Sequence, residues 1–148
     1  MNMIARGFTF LIFLFLVNMQ IMAEVEELEG LWGGLTQTDD VVYTDGDQWG
    51  FYFEDAVCYY AYCFDNEWFY SCEKPLGLVE KAYEPNTFRS SDSRVRFILK
   101  GEKLFVESKP QGSVHLITFG VKKITGIKPK EATIAQLQIK AKKYYTQN

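Results

Sequence analysis

The chain has 148 residues, with 16 Lys or Arg against 19 Asp or Glu and a formal charge of −3. That length suits a single domain able to bury a real core. The acidic balance excludes general nucleic-acid binding, which needs a net basic surface.

The N-terminus comes first. Met1 to Gly7 carries one basic side chain, Arg6, and Phe8 to Val17 is apolar except for Thr9. Polar Asn18 and Gln20 follow, and then Ile21-Met22-Ala23. A basic start, an apolar stretch too short to span a bilayer and a small residue at the end describe a signal peptide over residues 1–23. The mature chain is expected to start near Glu24 and to form one domain over 24–148, in a secreted, periplasmic or other extracytoplasmic place.

After an acidic lead-in the chain reads as strands. Leu31 to Thr38 is the first, Asp45-Gly46-Asp47 a turn, and Gln48 to Glu54 alternates with Trp49, Phe51 and Phe53 on one face. Ala56 to Phe64 and Glu67 to Glu73 flank Asp65-Asn66, a hairpin signal. Leu78 to Tyr83 is less regular and closes at Glu84-Pro85-Asn86. Arg94 to Lys100 sets Val95, Phe97 and Leu99 on one face. Lys103 to Ser108 and Val114 to Ile124 complete the series, with turns at Gly101-Glu102 and Pro110-Gln111-Gly112. Strands in sequence with no helix between them imply an all-β antiparallel meander, closed into a barrel of about eight strands. The tail over about 129–145 reads as an amphipathic helix. Pro129 suits its first position, Glu131 its first turn and Lys140, Lys142 and Lys143 its negative end. Ile134, Leu137, Ala141 and Tyr144 form the apolar stripe that would pack outside the sheet.

Residues 24–92 hold 3 basic and 16 acidic residues, whereas 93–148 hold 12 basic and 3 acidic. Two halves folded side by side, attracting each other, account for this asymmetry more simply than a field that steers a charged partner. Aromatic residues are also bunched, with twelve between Tyr43 and Tyr70.

Cys58, Cys63 and Cys72 lie close together, and an oxidising compartment makes one disulfide the expectation. A hairpin turning through Phe64-Asp65-Asn66 sets Cys58 opposite Cys72, leaving Cys63 free or paired between chains. A two-residue turn at Asp65-Asn66 instead sets Tyr59 opposite Cys72, and Cys63 with Cys72 is the rival pairing. Chemistry finds little support. The only histidine, His115, sits in an apolar strand, and no Gly-x-Ser-x-Gly elbow, phosphate loop or His-Glu-x-x-His occurs. Asp39, Asp40, Asp45 and Asp47 crowd one region without the spacing of a calcium loop, so a solvated loop is expected there. No cofactor, metal, nucleic acid or membrane contact is expected.

Gly30-Leu31-Trp32 at the start of the first strand, the meander and the final helix resemble the lipocalins and the wider calycin group. The resemblance implies that Trp32 closes one end of an eight-stranded barrel, packed against a basic side chain near the last strand, Lys122 or Lys123. With the aromatic surplus, the expectation is a non-catalytic binding protein holding a small apolar ligand inside the barrel. Trp32, Trp49, Phe51, Phe53, Val95, Phe97 and Leu99 would be the lining. The alternative is a protein-binding module, such as an inhibitor or immunity partner of a secreted enzyme. The acidic, tyrosine-rich stretch from Asp39 to Tyr70 would be its surface, since tyrosine is enriched at interfaces. An interior cavity would favour the first reading, and a filled barrel with an exposed aromatic patch this alternative.

Overall fold

The computed structural model describes residues 11–16, 25–35, 49–91, 94–109, 112 and 117–147. The Asp39, Asp40, Asp45 and Asp47 group, the turns at 45–47 and 110–111, and His115 lie outside them.

Ten strands and a C-terminal helix follow in chain order: β1 Gly30–Leu35, β2 Trp49–Glu54, β3 Val57–Phe64, β4 Glu67–Tyr70, β5 Gly77–Lys81, β6 Thr87–Ser90, β7 Val95–Lys100, β8 Lys103–Ser108, β9 Ile117–Ile124, β10 Lys130–Glu131 and the helix Ile134–Gln147. Eight of them, β1–β3 and β5–β9, close into an antiparallel barrel, with β1 against β9 at one junction and β3 against β5 at the other. β4 and β10 stand outside the ring. β4 pairs with the far end of β3, and β10 runs parallel to β4, through Lys130↔Phe69 and Glu131↔Tyr70.

Local chemistry sets the hairpins. Asp65 and Asn66 have φ of 50° and 63°, and Asp55 and Ala56 have 52° and 61°. Two consecutive residues with positive φ make the tight turn whose twist matches paired strands. Ala56 pays for its left-handed backbone with two bonds. Its N–H donates to the Glu29 carboxylate at 3.3 Å, and its carbonyl accepts from the Val79 N–H at 2.7 Å.

The two-residue turn corrects the expected disulfide. It sets Cys63 opposite Trp68 and Tyr62 opposite Phe69, and β4 ends at Tyr70 before reaching Cys72. Cys58 faces inward and is buried, Cys72 is exposed, and none of the three cysteines forms a disulfide. The Cys58–Cys72 pairing fails because the turn is one residue shorter than that register needs.

The helix also differs from expectation. Pro129 and Glu131 precede it, and Lys130-Glu131 is strand β10 instead. Thr133 caps the helix. Its hydroxyl accepts from the Gln136 N–H at 3.1 Å, while the Thr133 N–H donates to the Gln136 side chain at 2.9 Å. This reciprocal pair is the capping box. The Ile134 N–H donates to Glu73 at 2.8 Å, so a distant carboxylate supplies the negative charge expected of Glu131. No basic residue lies in the last turn, because the helix runs on to Gln147 past the lysines. β6 was not anticipated; Thr87–Ser90 is short and broken by polar residues, and its inward Phe88 is the residue that pairs with Phe97.

Three ion pairs join the acidic and basic halves: Glu84–Arg96 at 3.6 Å, Glu54–Lys128 at 3.1 Å and Glu67–Lys130 at 3.2 Å. Each is partly solvated and stabilises by about 1 kcal/mol or less. Thiol titration tests the cysteine arrangement: three thiols are expected on unfolding, with Cys72 modified first in the native protein and Cys58 only when it unfolds. A Cys58–Cys72 peptide in a non-reducing digest would contradict it.

Candidate functional site

The seven side chains expected to line the barrel do come together. Trp32, Phe51, Phe53, Val95 and Phe97 are buried in one apolar cluster with Leu104, Val106, Phe119 and Val121, and Trp49 and Leu99 pack against it. Alternation along each strand points them all inward. The cluster is tightly filled by ring-on-ring contacts. Phe97 lies edge-on to Phe51 at 5.5 Å and to Phe53 at 5.1 Å, and Phe119 stacks on Phe51 at 6.0 Å. Three grooves bounded by described residues are lined by none of Phe51, Phe53, Val95 or Phe97.

Trp32 closes one end. Its indole N–H donates to the Leu28 carbonyl at 2.7 Å, and the Lys123 ammonium lies 5.4 Å from the ring centroid. Lys123 is also the register partner of Trp32 across β1 and β9, and it reaches the Glu27 carbonyl at 3.4 Å. Of the two lysines considered from sequence, Lys123 is therefore the one over the indole. A cation held over Trp in this way contributes about 0.5–1 kcal/mol. The backbone packs closely here, because a Cβ on Gly50 would collide with the Trp32 carbonyl oxygen.

On the outer face, the register row Gly33, Gly50 and Ala61 leaves a trough of small residues. The Trp68 ring lies in it, so that a Cβ on Gly33 would come within 2.6 Å of the indole. Tyr52, Tyr59 and Tyr70 cluster beside it, with centroids 4.7 Å (Tyr52–Tyr70) and 5.2 Å (Tyr59–Tyr70) apart. Burial, then the hydrogen bond and charge of Glu54, push the Tyr52 phenol up to about 12. Burial and then the Cys72 thiol raise Tyr70 as well. These phenols stay protonated and serve as packing and hydrogen-bond donors rather than as bases.

Sequence reasoning did not find the remaining feature. On β3, Tyr60, Tyr62 and Phe64 share the inward face with Cys58, and Tyr60 touches Phe51 at 5.7 Å. Beyond the β5 pairing that face leaves the barrel, and the C-terminal helix covers it through Leu137, Ala141 and Tyr144. The expected apolar stripe thus packs on the β3–β4 hairpin, rather than on the outer surface of the barrel. Between helix and hairpin lies a groove of about 380 Å³, lined by Tyr60, Tyr62, Phe64, Leu137 and Ala141, with Ser71, Lys74 and Gln138 at its rim. The signal was present in the sequence, as the stripe Ile134, Leu137 and Ala141 and the run of tyrosines, but each was assigned to a different surface.

Among the described residues no cluster of His, Cys, Asp or Glu is placed to hold a metal ion. Comparison with protein-family models, curated proteins and solved structures found no match.

The packing of the barrel interior sets a measurable expectation. Phe97 is fully buried at its centre, so Phe97→Ala should cost about 3–5 kcal/mol in chemical denaturation. A loss below about 1 kcal/mol would place that ring in a loose or solvated space.

Proposed function

We propose that the chain is an exported, non-catalytic binding protein of lipocalin-like architecture that holds a small apolar ligand. The barrel with its end closed by Trp32 and Lys123 supports the architectural part of this reading. Export is supported by residues 11–16, a helical segment whose six apolar side chains are all exposed and make no part of the core. Among the described residues, no helix is long and apolar enough to cross a bilayer.

The observation that carries the binding reading is the aromatic groove between the C-terminal helix and the β3–β4 hairpin. At about 380 Å³ it falls within the roughly 300–1,000 Å³ of small-molecule sites, and like them it joins apolar walls to a few polar groups. The packed rings of Phe51, Phe53 and Phe97 favour the continuation of the same β3 face over the barrel centre, where the sequence suggested the ligand.

A second reading, a protein-binding module, is favoured by a different place. Tyr83 is wholly exposed beside a groove of about 660 Å³ floored by Val25, Val79 and Ala82 and edged by Glu26, Glu29, Asp55 and Glu80. Native mass spectrometry of the protein purified from its own host separates the two. The expected result is a retained small mass that disappears in Ala141→Phe, where the new ring fills the helix groove. A bound protein chain would favour the second reading, and an unliganded monomer would count against both.

A further inference from the structure

Five polar side chains, Tyr60, Tyr62, Ser71, Lys74 and Gln138, line the helix groove, and one of them carries a charge. Lys74 is the only charged residue lining it, and its ammonium forms no ion pair among the described residues. The Gln138 amide and the Tyr62 hydroxyl likewise have no hydrogen-bond partner among the described residues. Ser71 is buried, and its oxygen already accepts the Glu73 N–H at 3.3 Å, which leaves its own hydrogen to donate. The ammonium only donates, whereas the phenols, the amide and the serine hydroxyl can each donate or accept. Burial raises the Tyr62 phenol, which keeps its proton in place.

No carboxylate lines the groove. The nearest in sequence, Glu73, is held at the helix N-terminus by the Ile134 N–H at 2.8 Å. The walls are flat rings, with Tyr62 stacked on Phe64 at 6.4 Å and an interplanar angle of 11°. Leu137 and Ala141 face them from the helix. A site with flat apolar walls, neutral hydrogen-bonding groups and one cation in its lining fits a particular kind of molecule.

We infer that the ligand of this groove is an aromatic organic anion of up to about three rings, whose acidic group meets Lys74, Tyr62 and Gln138. The inference rests on the binding reading above and adds the charge and shape of what is bound. At about 380 Å³ the groove lies at the small end of the ligand-pocket range, which suits a compact ring system. A cation would be repelled by Lys74, with no carboxylate in the lining to offset it.

Two fluorescent probes with the same rings test this: anilinonaphthalene sulfonate, which is an anion, and phenylnaphthylamine, which is neutral. Titration of the purified protein at low salt is expected to show tighter binding of the sulfonate. Lys74→Glu should weaken the sulfonate about tenfold and leave the amine unchanged, because it removes one partly solvated attraction and adds a repulsion of similar size. The sulfonate preference should shrink as salt is raised. Tyr62→Phe keeps the ring, and should cost the sulfonate affinity without costing the amine any. Ala141→Phe should abolish both.

Two failures are distinguishable. If Ala141→Phe abolishes both probes but Lys74→Glu and Tyr62→Phe change neither, the groove binds and the anionic class is wrong. If neither probe binds, or both bind Ala141→Phe as before, the groove is not the site, and the binding reading falls with the inference. Circular dichroism of Lys74→Glu and Tyr62→Phe, both expected to match the parent, shows that any loss is not unfolding.

Discussion

Along one edge β3 pairs with β2 over six register positions, Val57 to Tyr62. Its other edge is divided. Val57 and Cys58 pair with Leu78 and Gly77 of β5, while Ala61 to Phe64 pair with β4. Only the first of these pairings closes the barrel. It is short, and two backbone bonds extend it: Leu76 N–H to the Cys58 carbonyl at 2.8 Å and Val79 N–H to the Ala56 carbonyl at 2.7 Å. Because the strand is longer than the barrel needs, its far half carries a second hairpin outward. The inward face of β3 emerges with it, bearing Tyr60, Tyr62 and Phe64, and such a face must be covered or left in water. The C-terminal helix covers it incompletely. The groove is the uncovered remainder.

This division explains how a barrel full of rings can coexist with a place for a ligand. Inside, Phe51, Phe53 and Phe97 are buried at close ring spacing, with Phe88 buried beside them in the same cluster, which supplies stability rather than space. Outside, no residue of the helix is fully buried, and Ile139 and Tyr145 are exposed. The helix is held by one apolar stripe, a capping box, the Glu73 bond and Lys140 over the Phe69 ring at 4.4 Å, and it forms one wall of the groove. Ligand entry by movement of that helix would leave the barrel undisturbed.

Much of the architecture was legible from periodicity. Trp49, Phe51 and Phe53 and then Val95, Phe97 and Leu99 alternate without interruption, and both sets face the core. Gly30-Leu31-Trp32 placed the tryptophan at a barrel end, where Lys123 covers it. What failed did so at single residues. Whether Phe64 belongs to the turn or to the strand decides the cysteine register, and composition does not distinguish the two; the positive φ of Asp65 and Asn66 does. Thr87–Ser90 carries too few apolar residues to announce a strand, although Phe88 sits in the core. Lys130-Glu131 reads as a helix start after Pro129, yet pairing with Phe69 and Tyr70 draws it into the sheet. The candidate site was hidden for a related reason. Tyr60 and Leu137 are far apart in sequence, and the long edge of β3 brings them together.

The central claim is that the ligand sits on the outward continuation of β3, beside a packed barrel rather than within it. Backbone and methyl chemical shifts recorded while phenylnaphthylamine is titrated into the isotope-labelled protein test it most directly. The account predicts shifts concentrated at Tyr60, Tyr62, Phe64, Leu137 and Ala141, with Phe53, Val95, Phe97 and Val106 unmoved. Shifts concentrated at Val95, Phe97 and Val106, with Leu137 and Ala141 unmoved, would put the ligand inside the barrel and contradict it.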